Sequence, residues 1–181
     1  MFTTYLLVFC RVTIALLFIF SFCGKLLALR DFAVTIGDFK LLPRKWSKGA
    51  AILFLIGEIT TAILVTMDVN LTFIGFLLAI TLLMIFSVAL VTALWRKLDM
   101  SCNCFGRTEQ RISHYDVIRN GIFILCGLTG LWLLRYAPQG LSVSEIILLA
   151  LMSTVFLLFI VKLDDIVETL RQPFPNFEER R

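Results

Sequence analysis

Five long apolar runs dominate this sequence and constrain its fold more than any other feature. They cover approximately residues 4–28, 49–67, 71–95, 116–134 and 143–161. Each run is long enough to cross the roughly 30 Å hydrocarbon core of a bilayer as an α-helix, which rises about 1.5 Å per residue. The connections are short, so neighbouring helices should be antiparallel. The pattern predicts an all-α protein: a polytopic membrane helical bundle of about five transmembrane helices.

The composition supports a single bundle surrounded by lipid. Hydrophobic residues make up 59% of the 181 residues and charged residues 17%, whereas soluble domains are about 45–50% apolar and about 25% charged. We predict a transmembrane bundle at 1–163, with a polar loop at 96–115, followed by a charged tail at 164–181. No basic tract is interleaved with aromatic residues, so nucleic acid is not an expected partner.

Three ionisable side chains lie inside or near the ends of the predicted spans. Arg11 and Lys25 are fourteen residues apart, which places them about 40° from one another on a helix, so both should face the bundle. The simpler alternative for Lys25 is snorkelling to the interface, whereas Arg11 should have a packed polar role. Glu58 lies roughly 13 Å into the second run, and a carboxylate at that depth is a functional candidate. The alternatives for Glu58 are a structural ion pair with either cation, or protonation.

The predicted topology brings several of these residues to one side of the bundle. Five spans place the first connection at 30–48, the polar loop and the tail on the same side. Pro43 should stop any helix in that connection, because the residue before a proline is pushed out of the α conformation. Lys25, Arg119 and Asn120 lie on this side as well, with Glu58 at mid-depth. Such convergence is typical of a small-molecule site in a helical bundle.

The polar loop contains a Cys-x-Cys pair, Cys102 and Cys104, within the sequence CNCFG at 102–106. A disulfide between thiols this close in sequence closes a small ring, so it should be strained and easily reduced. That property suits a disulfide that is passed on to a partner. The nearby Arg96 and Arg107 should favour the nucleophilic thiolate.

Alternatives for the cysteines are a zinc site and an unreactive pair. A closed zinc site needs four ligands, but His114 is the only histidine and Cys23 would have to reach in, so we predict no metal. The spacing leaves open whether the pair closes on itself or on Cys23. Cys10 and Cys126 are most simply small apolar packing residues.

With these motifs in place, the chain resembles the MauE family of methylamine-utilisation proteins, within the wider DoxX-like group. The matching pieces are FSFCGKL at 20–26, KLLP at 40–43, GE at 57–58, CNCFG at 102–106 and RN at 119–120. The resemblance implies a four-helix core plus one helix in a bacterial plasma (inner) membrane. It also implies a partner of a thioredoxin-like protein, involved in forming or transferring disulfides in extracytoplasmic proteins. In the wider group, DoxX-like subunits are implicated in thiosulfate:quinone oxidation.

Together, the residues and the resemblance predict a membrane thiol–disulfide oxidoreductase, or the redox partner of a thioredoxin-like protein. Cys102 and Cys104 would exchange disulfides, and Glu58 would accept protons. The predicted substrate or quinone site consists of Lys25, Phe105, Gly106, Arg119 and Asn120. A quinone is a candidate cofactor, although no motif specifies it. The alternatives are a non-enzymatic assembly subunit and a DoxX-like subunit that handles thiosulfate at a basic mouth.

Charge and redox chemistry disagree about the side of the membrane on which the cysteine loop lies. Fourteen of the 17 Lys and Arg residues lie on the loop side, and outside the spans only Arg135 lies on the other. The positive-inside rule therefore predicts a cytoplasmic loop. Stable disulfides form outside the cytoplasm, and the family resemblance implies work there. We give the charge count more weight and predict a cytoplasmic cysteine loop.

Overall fold

Five of the helices in this protein are long and apolar enough to span a membrane. The computed structural model describes residues 2–38, 44–96, 114–136 and 142–161. Within these ranges the chain forms no strand and six helices: α1 (Phe2–Leu27), α2 (Leu29–Asp38), α3 (Arg44–Thr66), α4 (Val69–Trp95), α5 (His114–Leu133) and α6 (Val143–Val161). All except α2 are candidate spans. The predicted all-α polytopic bundle is confirmed, and the chain is a multi-pass membrane protein.

Four of the spanning helices form a closed ring. Helix α1 packs on α3, α3 on α4, α4 on α5, and α5 on α1 again. The interior of the ring is filled by buried apolar side chains, among them Leu7, Ile14, Phe76 and Phe123. Helix α6 lies outside the ring and packs on α1. The architecture is therefore four helices plus one, and burial of the inward faces against one another holds the ring together.

Helix α2 corrects the interpretation of residues 30–48 as a plain connection. The chain breaks at Ala28 and resumes as a helix that ends at Asp38, before Pro43 is reached. Its apolar residues recur at the i, i+3, i+4, i+7 spacing of an amphipathic helix, namely Leu29, Phe32, Ala33 and Ile36. These side chains pack against Ala51 and Phe54 of α3. Pro43 limits where a helix can end, but it does not prevent an earlier turn from forming.

The turn between α3 and α4 is held by a side chain from α1. Arg11 donates from Nε to the Val65 carbonyl at 3.0 Å and from Nη2 to the Met67 carbonyl at 2.6 Å. The last carbonyls of a helix have no partner within it, and the guanidinium supplies donors for two of them. Gly75 permits the close approach of α4, because a Cβ there would lie 2.8 Å from the Val65 nitrogen. The packed polar role expected for Arg11 is confirmed.

The start of α6 is fixed at the end of the bundle where α1 begins. The Ser142 nitrogen and hydroxyl both donate to Glu145 Oε2, each at 2.8 Å, in the manner of a capping box. Tyr5 of α1 donates to the other carboxylate oxygen of Glu145. Deeper in the bundle, the rings of Phe9 and Phe156 meet edge to face with centroids 5.5 Å apart. These contacts fasten α6 to the outer face of α1.

Candidate functional site

A polar cluster is buried near the other end of the ring, away from Tyr5. Lys25 lies in the last turn of α1, Glu58 in the middle of α3, and Arg119 and Asn120 in the second turn of α5. All four line one cavity of about 30 Å³. Antiparallel packing explains why these side chains lie close together, because the end of α1 and the beginning of α5 lie at the same end of the ring. The structure thus brings together four of the residues selected from the sequence.

Lys25 and Glu58 form an ion pair inside the bundle. Lys25 Nζ donates to Glu58 Oε1, and the two side chains are only 3% and 2% exposed. An isolated charge in such an apolar setting is costly, so each group needs the other. The snorkelling alternative for Lys25 is wrong, because its ammonium is enclosed by the bundle. Of the alternatives given for Glu58, the structure shows the ion pair with a cation of α1, and the carboxylate is buried among the helices.

Ser21 completes the ion pair, and its contribution was missed in the sequence. Its hydroxyl donates to Glu58 Oε1 at 2.8 Å and accepts from Lys25 Nζ at 2.9 Å. Ser21 lies four residues before Lys25, and this spacing places both on one face of α1. Glu58 Oε1 therefore accepts two hydrogen bonds, whereas Oε2 is buried and has no hydrogen-bond partner among the described residues.

Three phenylalanine rings enclose the Lys25 ammonium. Its Nζ lies 4.6 Å from the ring centroid of Phe54 on α3, 5.1 Å from that of Phe32 on α2, and 5.3 Å from that of Phe86 on α4. All three distances are within the range of a cation–π interaction, about 6 Å. The rings stabilise the cation through these contacts. Nothing in their sequence context separates these phenylalanines from the many others in the spans.

A second ion pair lies at the beginning of α5. Arg119 Nη2 is 2.8 Å from Asp116 Oδ1, and the two side chains are 12% and 8% exposed. Asn120 is buried and donates to the Ser87 hydroxyl on α4 at 3.1 Å. Together with Lys25 and Glu58, the cluster has two cations and two carboxylates. Among these four described side chains the formal charge is therefore balanced.

The size of the cavity limits what the cluster can do. The described residues enclose about 30 Å³ at this site, and Phe105 and Gly106 of the predicted quinone site lie outside them. A buried water requires at least about 10–15 Å³. In chemical terms, the cluster can hold water beside a carboxylate and can bind or release a proton. Within the described ranges, no group of three or more His, Cys, Asp or Glu side chains could hold a metal ion.

The predicted residues Cys102, Cys104, Phe105 and Gly106 lie outside the residues that the structure describes. The chain segment that contains them leaves α4 at Trp95 and returns at His114, the first residue of α5. Asn120 is six residues further along that helix, which corresponds to about 9 Å. The cysteine segment is therefore attached to the ring close to the buried cluster.

The other cysteines lie within the described part of the chain. Cys10 is buried and Cys126 is half-buried, and both pack in the core of the ring, as expected for small apolar residues. Cys23 on α1 is exposed. Cys23 therefore offers an accessible thiol for comparison with the pair in the loop.

Comparison with known proteins gives one match. The model of the family described as "Methylamine utilisation protein MauE" matches residues 3–133. This range begins in the first turn of α1 and ends with the last residue of α5. It thus includes the whole four-helix ring, α2 and every member of the buried cluster, whereas α6 lies beyond it. No curated protein and no solved structure matches the chain.

Proposed function

We propose a redox function for this protein, from the premise that the chain belongs to the MauE family of methylamine utilisation proteins. It would act as a membrane thiol–disulfide oxidoreductase, or as the redox partner of a thioredoxin-like protein, and exchange disulfides through Cys102 and Cys104. One observation carries the proposal. A buried carboxylate with an unpartnered oxygen, Glu58, shares a cavity with the beginning of α5, the helix that follows the cysteine segment.

The proposed exchange has two steps. A thiolate of the pair attacks a sulfur of the partner's disulfide, which forms a mixed disulfide and releases one partner thiolate. The second cysteine then attacks the mixed disulfide, which leaves a Cys102–Cys104 disulfide and a partner dithiol. Two electrons pass from the pair to the partner in this direction. The reverse sequence hands the disulfide of the pair to the partner and returns the two electrons.

Glu58 would serve as the temporary proton acceptor in these steps. Each attacking thiol loses a proton, and each leaving thiolate regains one, so the exchange needs a nearby group that holds a proton in between. Lys25 and Ser21 keep the carboxylate in place through Oε1. No quinone is assigned to the cavity, because Phe105 and Gly106 of the predicted quinone site lie outside the described residues.

Trapping of mixed disulfides tests the proposal against a non-enzymatic assembly role. Removing one cysteine of the pair prevents the second step, so a mixed disulfide should accumulate. We expect membranes with Cys104→Ser or Cys102→Ser to contain a species linked to a thioredoxin-like protein, identified by mass spectrometry after alkylation. The double variant should contain none. Cys23→Ser should behave like the wild type, since the proposed exchange uses only the loop pair, although Cys23 is also an exposed thiol.

The contrary outcome is specific. If neither single variant accumulates a mixed disulfide, and both loop thiols stay reduced under oxidants that modify other exposed thiols, the exchange mechanism fails. In that case, retention of function in the double Cys→Ser variant would establish the assembly role instead.

A further inference from the structure

We infer that the cavity between α3 and α5 holds one or two ordered water molecules that carry protons to and from Glu58. The ligand of this site is thus water, bound between a buried carboxylate and the polar beginning of α5. The hydration site is inferred from the cavity and from the unpartnered oxygen of Glu58. Only its proton-carrying role rests on the proposed thiol–disulfide exchange.

One carboxylate oxygen of Glu58 lacks a hydrogen-bond partner among the described residues. The side chain of Glu58 is 2% exposed, and its Oε1 already accepts from Ser21 and Lys25. Its Oε2 is buried without a hydrogen-bond partner among the described residues. Buried polar atoms almost always have a partner, in the protein or in ordered water, because leaving one unpaired is costly. Glu58 lines the cavity, so water there can supply the missing donor.

The cavity meets the requirements of a hydration site. Its volume of about 30 Å³ exceeds the roughly 10–15 Å³ that one water requires. A buried water also needs two to four polar partners, and Glu58, Ser21 and Asn120 contribute polar atoms to the cavity wall. The remaining wall is apolar and includes Leu82 and Leu83 of α4, which confines water to the polar side.

The two sides of the cavity differ, and this difference indicates where a proton can enter. On the Lys25 side, the rings of Phe32, Phe54 and Phe86 enclose the ammonium. On the opposite side the cavity reaches Arg119, which is paired with Asp116 one turn nearer the start of α5. On the proposed function, a proton released in the exchange reaches Glu58 through the cavity water, from the side of the cavity formed by the beginning of α5. It returns by the same path to the leaving thiolate, and Arg119 remains protonated throughout.

A crystal structure grown in a lipid mesophase, at a resolution that shows ordered solvent, tests the hydration site directly. We expect one or two waters in the cavity, with one of them about 2.7–3.2 Å from Glu58 Oε2. A dry cavity, or an Oε2 that bonds a protein group instead, would overturn the inference. Neither result affects the trapping of mixed disulfides, so failure of the water site and failure of the proposed exchange are distinguishable.

A cavity-filling variant tests the proton-carrying role. Leu83 is buried on α4 and lines the cavity, so Leu83→Phe should displace the water while it leaves every charge in place. The matched control is Leu78→Phe, on the same helix and half-buried outside the cavity lining. The rate of exchange is measured on the full chain with oxidised glutathione, a linear disulfide whose leaving thiolate must regain a proton.

We expect Leu83→Phe to slow this exchange roughly 10²-fold, the lower range for proton transfer by a positioned side chain, and Leu78→Phe to leave the rate unchanged. Glu58→Gln provides an independent variant that keeps the shape of the cavity, and because it also loses the ion pair with Lys25, its rate is measured at a temperature at which the variant is shown to be folded. It should slow exchange to a similar extent, because an amide cannot accept the proton, while the water peak remains. Exchange at the wild-type rate in a folded Glu58→Gln variant would overturn the proton-carrying role.

Discussion

At the scale of single residues, the buried ion pair illustrates how a membrane bundle accommodates charge. Lys25 and Glu58 both lose the water that would solvate them. The loss is offset by their mutual contact, by the Ser21 hydroxyl, and by the aromatic rings around the ammonium. Because each group depends on the other, removing one partner should cost far more than removing both.

A double-mutant cycle measures this dependence. Lys25→Met and Glu58→Gln should each destabilise the protein by about 3–5 kcal/mol, since each leaves a buried group without its partner. The double variant should lose much less than the sum of the two. The measurement is reversible unfolding in mixed micelles. Additive losses would show that the two side chains stabilise the bundle independently, contrary to their contact in the structure.

Arg11 supports a prediction of a different kind, because its partners are backbone carbonyls rather than a charged side chain. Arg11→Met removes donors to Val65 and Met67, and hydrogen bonds of charged groups contribute about 1.5–3 kcal/mol. We expect a loss of about 2 kcal/mol in the same unfolding assay. Arg11→Lys should lose an intermediate amount, because an ammonium cannot reproduce the planar fork of donors. Arg135→Met, at an exposed position after α5, is the control.

At the scale of helices, hydropathy and periodicity are enough to predict the membrane spans and the unusual charges within them. The five spans follow from the length of their apolar runs, and Glu58 and Lys25 stand out because a charge in such a run is rare. Helix α2 was missed although it has an amphipathic spacing, because its ten residues are short and precede Pro43. The phenylalanine rings that enclose the Lys25 ammonium could not be predicted. Phe32 and Phe86 come close to Lys25 only when helices α1 to α4 pack together.

Two glycines of α5 yield opposite predictions for the same substitution. A Cβ at Gly130 would collide with the ring of Phe76, which is fully buried, whereas a Cβ at Gly121 would have no atom within 4 Å. Gly130→Ala should therefore destabilise the protein by about 1–3 kcal/mol through overpacking. Gly121→Ala should stabilise it by up to about 1 kcal/mol, because alanine favours the helix. Equal effects in the unfolding assay would contradict the close packing of α4 and α5.

At the scale of the whole molecule, exposed aromatic residues mark the two ends of the bundle. Trp46 begins the apolar part of α3 and Trp95 ends α4, both at the end with the buried cluster, and they are 69% and 85% exposed. Trp132 and Tyr136 lie at the other end, 56% and 53% exposed. Such residues are enriched at membrane interfaces. The cluster therefore lies below one interface, on the side where the cysteine segment connects α4 to α5.

Which side of the membrane this interface faces is the last prediction. Basic residues outside the spans are concentrated at the cluster end, whereas Arg135 is the one at the other end, so the positive-inside rule favours a cytoplasmic cysteine segment in a bacterial plasma membrane. A membrane-impermeant maleimide applied to reduced, intact cells should therefore label Cys102 and Cys104 only after lysis. The control is Tyr136→Cys in a Cys102→Ser/Cys104→Ser background, which should be labelled without lysis because Tyr136 is exposed at the opposite end. Labelling of the native pair in intact cells, with no labelling at position 136, would reverse the orientation and place the exchange in the oxidising compartment where stable disulfides form.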